Sequence, residues 1–126
     1  MAEHNKLGKW GEEQAVRLLE NKGYHVLEVD WTLGKRDLDV VAVDEECATL
    51  VFVEVKTRTT GEMMAPELAV DRRKMRNLAI AANAYVKLHP KGFRDVRFDI
   101  ISIVGSMGNV KKIEHIEDAF NPLLIL

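Results

Sequence analysis

From Lys6 to Asn21, apolar or small residues fall at Leu7, Trp10, Gly11, Ala15, Leu18 and Leu19, the spacing of one helix face, and Gly23 stops the helix. Residues 24–30, YHVLEVD, then read as a strand. Residues 38–43 and 50–56 read as two more, joined by the polar run DEECAT into a hairpin. TRTTGEMMAP, residues 57–66, reads as a loop. Asp71 can cap a second helix with Met75, Leu78, Ala82, Tyr85 and Val86 as its buried stripe, and HPKG ends it. A fourth strand, VRFDIISIVG, a turn, SMGN, and a fifth strand, VKKIEHI, complete an α/β chain in the order helix, three strands, helix, two strands.

Charges interrupt this pattern where the second and third strands should be buried. Asp37 and Asp39 enter the second strand, and Glu54 and Lys56 leave the third. A charge in a buried strand costs several kcal/mol unless it is paired or holds a metal. Centring the hairpin turn between Glu46 and Cys47 pairs Val43 with Leu50 and Val41 with Phe52. Extending that register sets Asp39 opposite Glu54 and Asp37 opposite Lys56, all four projecting from one face. Opposed carboxylates repel in a sheet. Mg²⁺ or Mn²⁺, which prefer oxygen ligands, would remove that repulsion. Lys56 could then orient an attacking water or offset charge on phosphorus, an apparatus suited to phosphodiester hydrolysis. At about 100° per residue, Glu12 falls on the flank of the first helix's apolar stripe and can reach the sheet edge, whereas Glu13 points to solvent. Spacing alone leaves another reading open: an Asp37–Lys56 ion pair, with Asp39 and Glu54 at a wet edge.

The 126 residues suit one domain, and 30% charged with 47% hydrophobic residues is an ordinary globular balance. No run is long enough to span a bilayer and the first residues lack a signal-peptide core, so a cytoplasmic protein is expected. The single cysteine, Cys47, excludes an internal disulfide and has no evident His partner. A net charge of −2 gives no global signature of a nucleic-acid binder. Local basic residues remain: Arg72, Arg73, Lys74 and Arg76 crowd together, with Lys56 and Arg58 upstream, either as phosphate contacts or as a solvated helix face. The tail AFNPLLIL is apolar enough to pack on the body or on a second subunit, which would make a homodimer. Trp10 and Tyr85 read as core and Trp31 as a surface aromatic for base stacking. Asp99 reads as a partner of Arg97 or of a neighbouring strand. The four histidines show no metal-ligand spacing, and no phosphate-binding Gly-rich loop is present.

DLD, fourteen residues, then EVK resembles the PD-(D/E)xK signature of the restriction-endonuclease-like superfamily, with Asp39, Glu54 and Lys56 in its motif positions. LGKWGEEQAVRLLENKGYHVLEVDW, DLDVVAVD, LVFVEVKTR, AVDRRKMRNLAIAANAYV and RFDIISI resemble, in order, the YraN-like family of small uncharacterised bacterial proteins, almost to Phe120. Archaeal Holliday junction resolvases look similar in the same way. The resemblance implies a restriction-endonuclease-like core, a central mixed sheet of about five strands flanked by helices. It also implies a metal-dependent endonuclease acting on DNA, on branched or damaged structures. Asp39 and Glu54 would ligate Mg²⁺ or Mn²⁺, with Glu12 and Asp37 in support. Lys56 would be the catalytic lysine, and Arg36, Arg58, Arg72, Arg73, Lys74 and Arg76 would contact nucleic acid. Two positions depart from the pattern. Leu38 replaces the signature's Pro, and Arg36-Asp37-Leu38-Asp39 stands where the YraN-like pattern reads Gly-Glu-x-Asp. The alternatives are a non-catalytic nucleic-acid-binding or adaptor module on a nuclease fold, and a protein-interaction domain using the apolar tail.

Overall fold

The computed structural model describes residues 2–44, 46, 48–59, 71–89 and 92–121, with side chains from Lys6 onward. Cys47, residues 60–66 of the expected loop and the tail from Pro122 lie outside them. The elements are α1 (Ala2–Asn21), β1 (His25–Leu33), β2 (Arg36–Val43), β3 (Thr49–Arg58), α2 (Arg72–Leu88), β4 (Asp95–Ser106) and β5 (Asn109–Ile116). Their order is the one expected from the hydrophobic pattern. Among the described residues, no helix is long and apolar enough to cross a membrane.

The strands form one five-stranded sheet in the order β1-β2-β3-β4-β5. β3 and β4 are parallel and every other pair is antiparallel, so the sheet is mixed. A parallel pair needs a crossover connection, and α2 lies within it. Asp71 caps α2 by accepting the Lys74 N–H at 2.8 Å, as expected from its position.

Each helix closes one face of the sheet. Leu78, Ala82 and Tyr85 of α2 pack with Val41, Leu50, Phe52 and Ile100. Trp10, Ala15 and Leu19 of α1 pack with Val40, Val51, Val53, Ile101 and Ile103 on the other. Burying each large apolar side chain contributes about 1.5–3 kcal/mol. Alternation sends odd and even residues of β3 to opposite layers, which is why VFV in that strand is continuously apolar. Gly11 lets α1 come close: a Cβ there would overlap the Thr57 hydroxyl.

Three expectations change. Strand β1 continues past Asp30 to Leu33 and turns through Gly34-Lys35 into β2, because Gly34 supplies the left-handed φ of 62°. Thr57 and Arg58, expected in a loop, extend β3, since β4 continues to pair beside them. Trp31 is half-buried, edge-on to Tyr85 at 5.2 Å between ring centres, and packs on the α2 layer instead of standing free for bases. Trp10 and Tyr85 are core, as expected.

Asp99 is fully buried and structural. Its carboxylate accepts two hydrogen bonds from Arg97 at 2.9 Å and one from the Asp118 N–H at 2.9 Å, and it lies 2.7 Å from His115 Nε2. Burial pushes this carboxyl up, but the His115 and Arg97 bonds outweigh it and leave it below the usual range. The expected partnership with Arg97 is therefore present, joined by β5.

Candidate metal centre

The β2–β3 ladder begins in the expected register, Val43 with Leu50 and Val41 with Phe52, and its paired stretch reaches Val40 with Val53. Beyond it, β2 continues its pairing with β1, through Leu38 and Trp31 to Arg36 and Leu33. β3 continues with β4 as far as Arg58 and Val104. The expected extension, Asp39 opposite Glu54 and Asp37 opposite Lys56, is therefore not among the paired rungs. Instead, an Asp39 carboxylate oxygen accepts the Val55 N–H at 2.9 Å. A side chain takes the place of a ladder bond, and the acidic residues gather at this departure from regular pairing.

On one side of Asp39 stand Glu12 and Asp30, and the three offer carboxylate oxygens all within 4.8 Å of one another. Glu12 arrives from α1, on the flank expected of it, and is half-buried while Glu13 is exposed. Asp30 was not anticipated. Val29 pairs with Val40 and Trp31 with Leu38, so Asp30 lies opposite Asp39, with its backbone in the left-handed region at φ 53°. On the other side is Glu54, 4% exposed, whose carboxylate lies 3.6 Å from Lys56 Nζ and 3.5 Å from Lys74 Nζ. Lys56 shares Glu54's face two residues on, as strand alternation requires. It pairs with Glu54, and no Asp37–Lys56 bridge is found among the described residues.

Crowding of like charges shows in proton affinities. Burial, then the Asp30 hydrogen bond, then the fields of Asp30, Asp39 and Asp37 push Glu12 up to about 8. Burial and the neighbouring Glu54 push Asp39 up to about 7, against the opposing Val55 hydrogen bond and Lys74. Burial pulls the Lys74 ammonium down, but Glu54, Asp39 and Asp37 outweigh it and the net direction is upward. Without a cation, burial and like-charge crowding thus raise the proton affinity of both Glu12 and Asp39.

The donor set fits a hard divalent cation: it is all oxygen, anionic, and assembled from a helix and several strands. Glu12, Asp30 and Asp39 would share such an ion, with Glu54 beside Asp39. Asp37 is exposed, opposite Thr32, and contributes its field without joining the three-carboxylate group. Arg36 is exposed at the start of β2 and Arg58 half-buried at the end of β3, both at the site end of the hairpin. Arg72, Arg73 and Arg76 are exposed in the first turns of α2. Lys74 alone of that basic run turns to the carboxylates.

Comparison with known proteins comes back to the same stretch of chain. Residues 11–103, from the start of the Glu12 helix turn into β4, match the uncharacterised protein family UPF0102. A UPF0102 protein of Porphyromonas gingivalis is 48% identical over 99% of this chain and 90% of its own length. One of Bacteroides thetaiotaomicron is 48% identical over 98% of this chain and 99% of its own. UPF0102 protein FP2501 of Flavobacterium psychrophilum is 43% identical over 95% and 98%.

Proposed function

We propose that this chain, which belongs to the uncharacterised protein family UPF0102, is a metal-dependent endonuclease with a restriction-endonuclease-like core that hydrolyses DNA phosphodiester bonds. The observation that carries the reading is the carboxylate group itself: Glu12, Asp30 and Asp39 offer oxygens within 4.8 Å of one another. Beside them, Glu54 and Lys56 follow in the motif order. A structural role alone gives no reason to gather like charges where they repel.

Mg²⁺ or Mn²⁺, when bound there, would lower the pKa of a bound water and offset charge on the phosphoryl oxygens. Glu12, Asp30 and Asp39 would hold the ion, with Glu54 beside Asp39, and Asp37 would lend its field. Lys56 orients the attacking water or faces the developing charge. A P–O bond forms to the water oxygen, which gives up a proton to solvent, and the bond to the leaving oxygen breaks as that oxygen takes up a proton from solvent. Arg36, Arg58, Arg72, Arg73 and Arg76 give the site end of the hairpin and α2 a basic surface for the phosphate backbone, while Lys74 is turned to the carboxylates, so binding weakens steeply with salt.

The test is incubation of the purified protein with labelled linear, flapped and four-way DNA in Mn²⁺, Mg²⁺ or chelator, with Asp39→Asn as control. Cleavage that requires both metal and Asp39 supports the enzyme reading, and the preferred substrate narrows its role. One observation favours a second reading, a nucleic-acid-binding module without catalysis: Lys56 and Lys74 already provide Glu54 with two cationic partners. Salt-sensitive DNA binding indifferent to metal, with no cleavage by folded protein, would select it.

A further inference from the structure

We propose that Lys74 is the built-in counter-ion of the centre and competes with a divalent cation for Glu54. The inference rests on the metal reading above and deepens it. Glu54 is 4% exposed and lies 3.6 Å from Lys56 and 3.5 Å from Lys74, so one buried carboxylate faces two ammonium groups. Burying an unpaired carboxylate is costly, and one cation balances its charge. The two lysines are not equivalent. Lys56 lies on Glu54's own strand, two residues away, and is the lysine of the motif. Lys74 reaches in from the other layer, from the first turn of α2, where the Asp71 cap fixes its backbone through a 2.8 Å bond.

With 36% of its side chain exposed, the Lys74 arm can withdraw toward solvent without unpacking the core. An ion held by Glu54 and Asp39 would sit beside this ammonium, and like charges at that range repel strongly where water is scarce. Metal and Lys74 therefore oppose each other at Glu54. Linkage makes the effect reciprocal: Lys74 weakens the metal, and the metal displaces Lys74. In the metal-free protein Lys74 pairs with the carboxylate and holds it in place. In the loaded protein its ammonium is freed beside the ion.

Lys74 is in this account a positioning residue, tested by Mn²⁺ titration calorimetry on the wild type, Lys74→Met and Lys74→Arg, and by urea midpoints in chelator for Lys74→Met, Glu54→Gln and the double variant. Lys74→Met should bind Mn²⁺ about tenfold tighter, while Lys74→Arg, which keeps the charge, should bind like the wild type. In chelator, Lys74→Met should lower the midpoint in the wild-type background and leave it unchanged in Glu54→Gln. Unchanged Mn²⁺ affinity in Lys74→Met, with the wild type binding normally, overturns the competition and leaves the metal reading standing. A wild type that binds no Mn²⁺ overturns the metal reading and the competition together. Additive midpoints show that Lys74 does not hold Glu54 and overturn the counter-ion role whatever the metal does.

Discussion

Asp30 lies opposite Asp39 between the paired rungs Val29–Val40 and Trp31–Leu38, with a left-handed backbone at φ 53°. Both features weigh against the folded state, because opposed carboxylates repel across a ladder and a side chain at that φ is strained. Asp30→Asn keeps a residue that tolerates the left-handed region and removes one charge. The metal-free variant should be more stable by about 0.5–1 kcal/mol, and should bind Mn²⁺ more weakly. Denaturant titration in chelator and calorimetry check both. Equal stability and equal affinity would take Asp30 out of the centre.

Stability should depend on pH with a sign set by the raised groups. Glu12 and Asp39 keep their protons in the folded protein to about 8 and about 7, whereas unfolded carboxyls lose theirs near 4.5 and 3.8. Across that window the folded state binds more protons, so its stability falls as pH rises from about 4 to 8. Asp99, held below the usual range, has the opposite sign and matters only in more acidic solution. Urea midpoints in chelator should decline from pH 5 to pH 8, and Asp39→Asn should flatten the decline. Saturating Mn²⁺ should reverse it by binding the deprotonated site.

The position of Glu12 depends on the close approach at Gly11. Adding a Cβ there overlaps Thr57, so Gly11→Ala should cost about 1–3 kcal/mol despite the better helix propensity of alanine. The displaced helix should also weaken Mn²⁺ binding. Combining it with Thr57→Ala, which removes the hydroxyl it meets, should restore part of both. A Gly11→Ala protein as stable as the wild type would show that α1 shifts at no cost.

Asp99 offers a contrast, a buried charge with its partners in place. Asp99→Ala leaves Arg97 and His115 without their shared acceptor and should destabilise the fold by about 3–5 kcal/mol. Mn²⁺ affinity measured on the remaining folded protein should be unchanged. A large change in affinity would tie this network to the metal centre.

Much of this arrangement was legible in the sequence. Centring the hairpin turn between Glu46 and Cys47 gives the β2–β3 register as far as Val40 and Val53, and the helical period separates Glu12 from Glu13. The register failed to extend to Asp39 and Glu54 because β2 follows β1 and β3 follows β4 beyond that point, a tertiary preference that local pattern does not encode. Asp30 was missed for a more avoidable reason. Gly34-Lys35 is a two-residue turn signal, and reading it as a hairpin sets Asp30 against Asp39. In the sequence Lys74 is one of a crowd of basic residues, and its contact with Glu54 depends on how α2 sits over the sheet.

The most direct test of the centre is Mn²⁺ titration of the wild-type protein at pH 7 by calorimetry, in two buffers of different ionisation enthalpy. One saturable site that releases protons on binding, and that disappears in Asp39→Asn, is the expected result, because the ion must displace protons held by Glu12 and Asp39. A wild-type protein that takes up no Mn²⁺, or one whose Mn²⁺ binding is untouched by Asp39→Asn, would contradict the account.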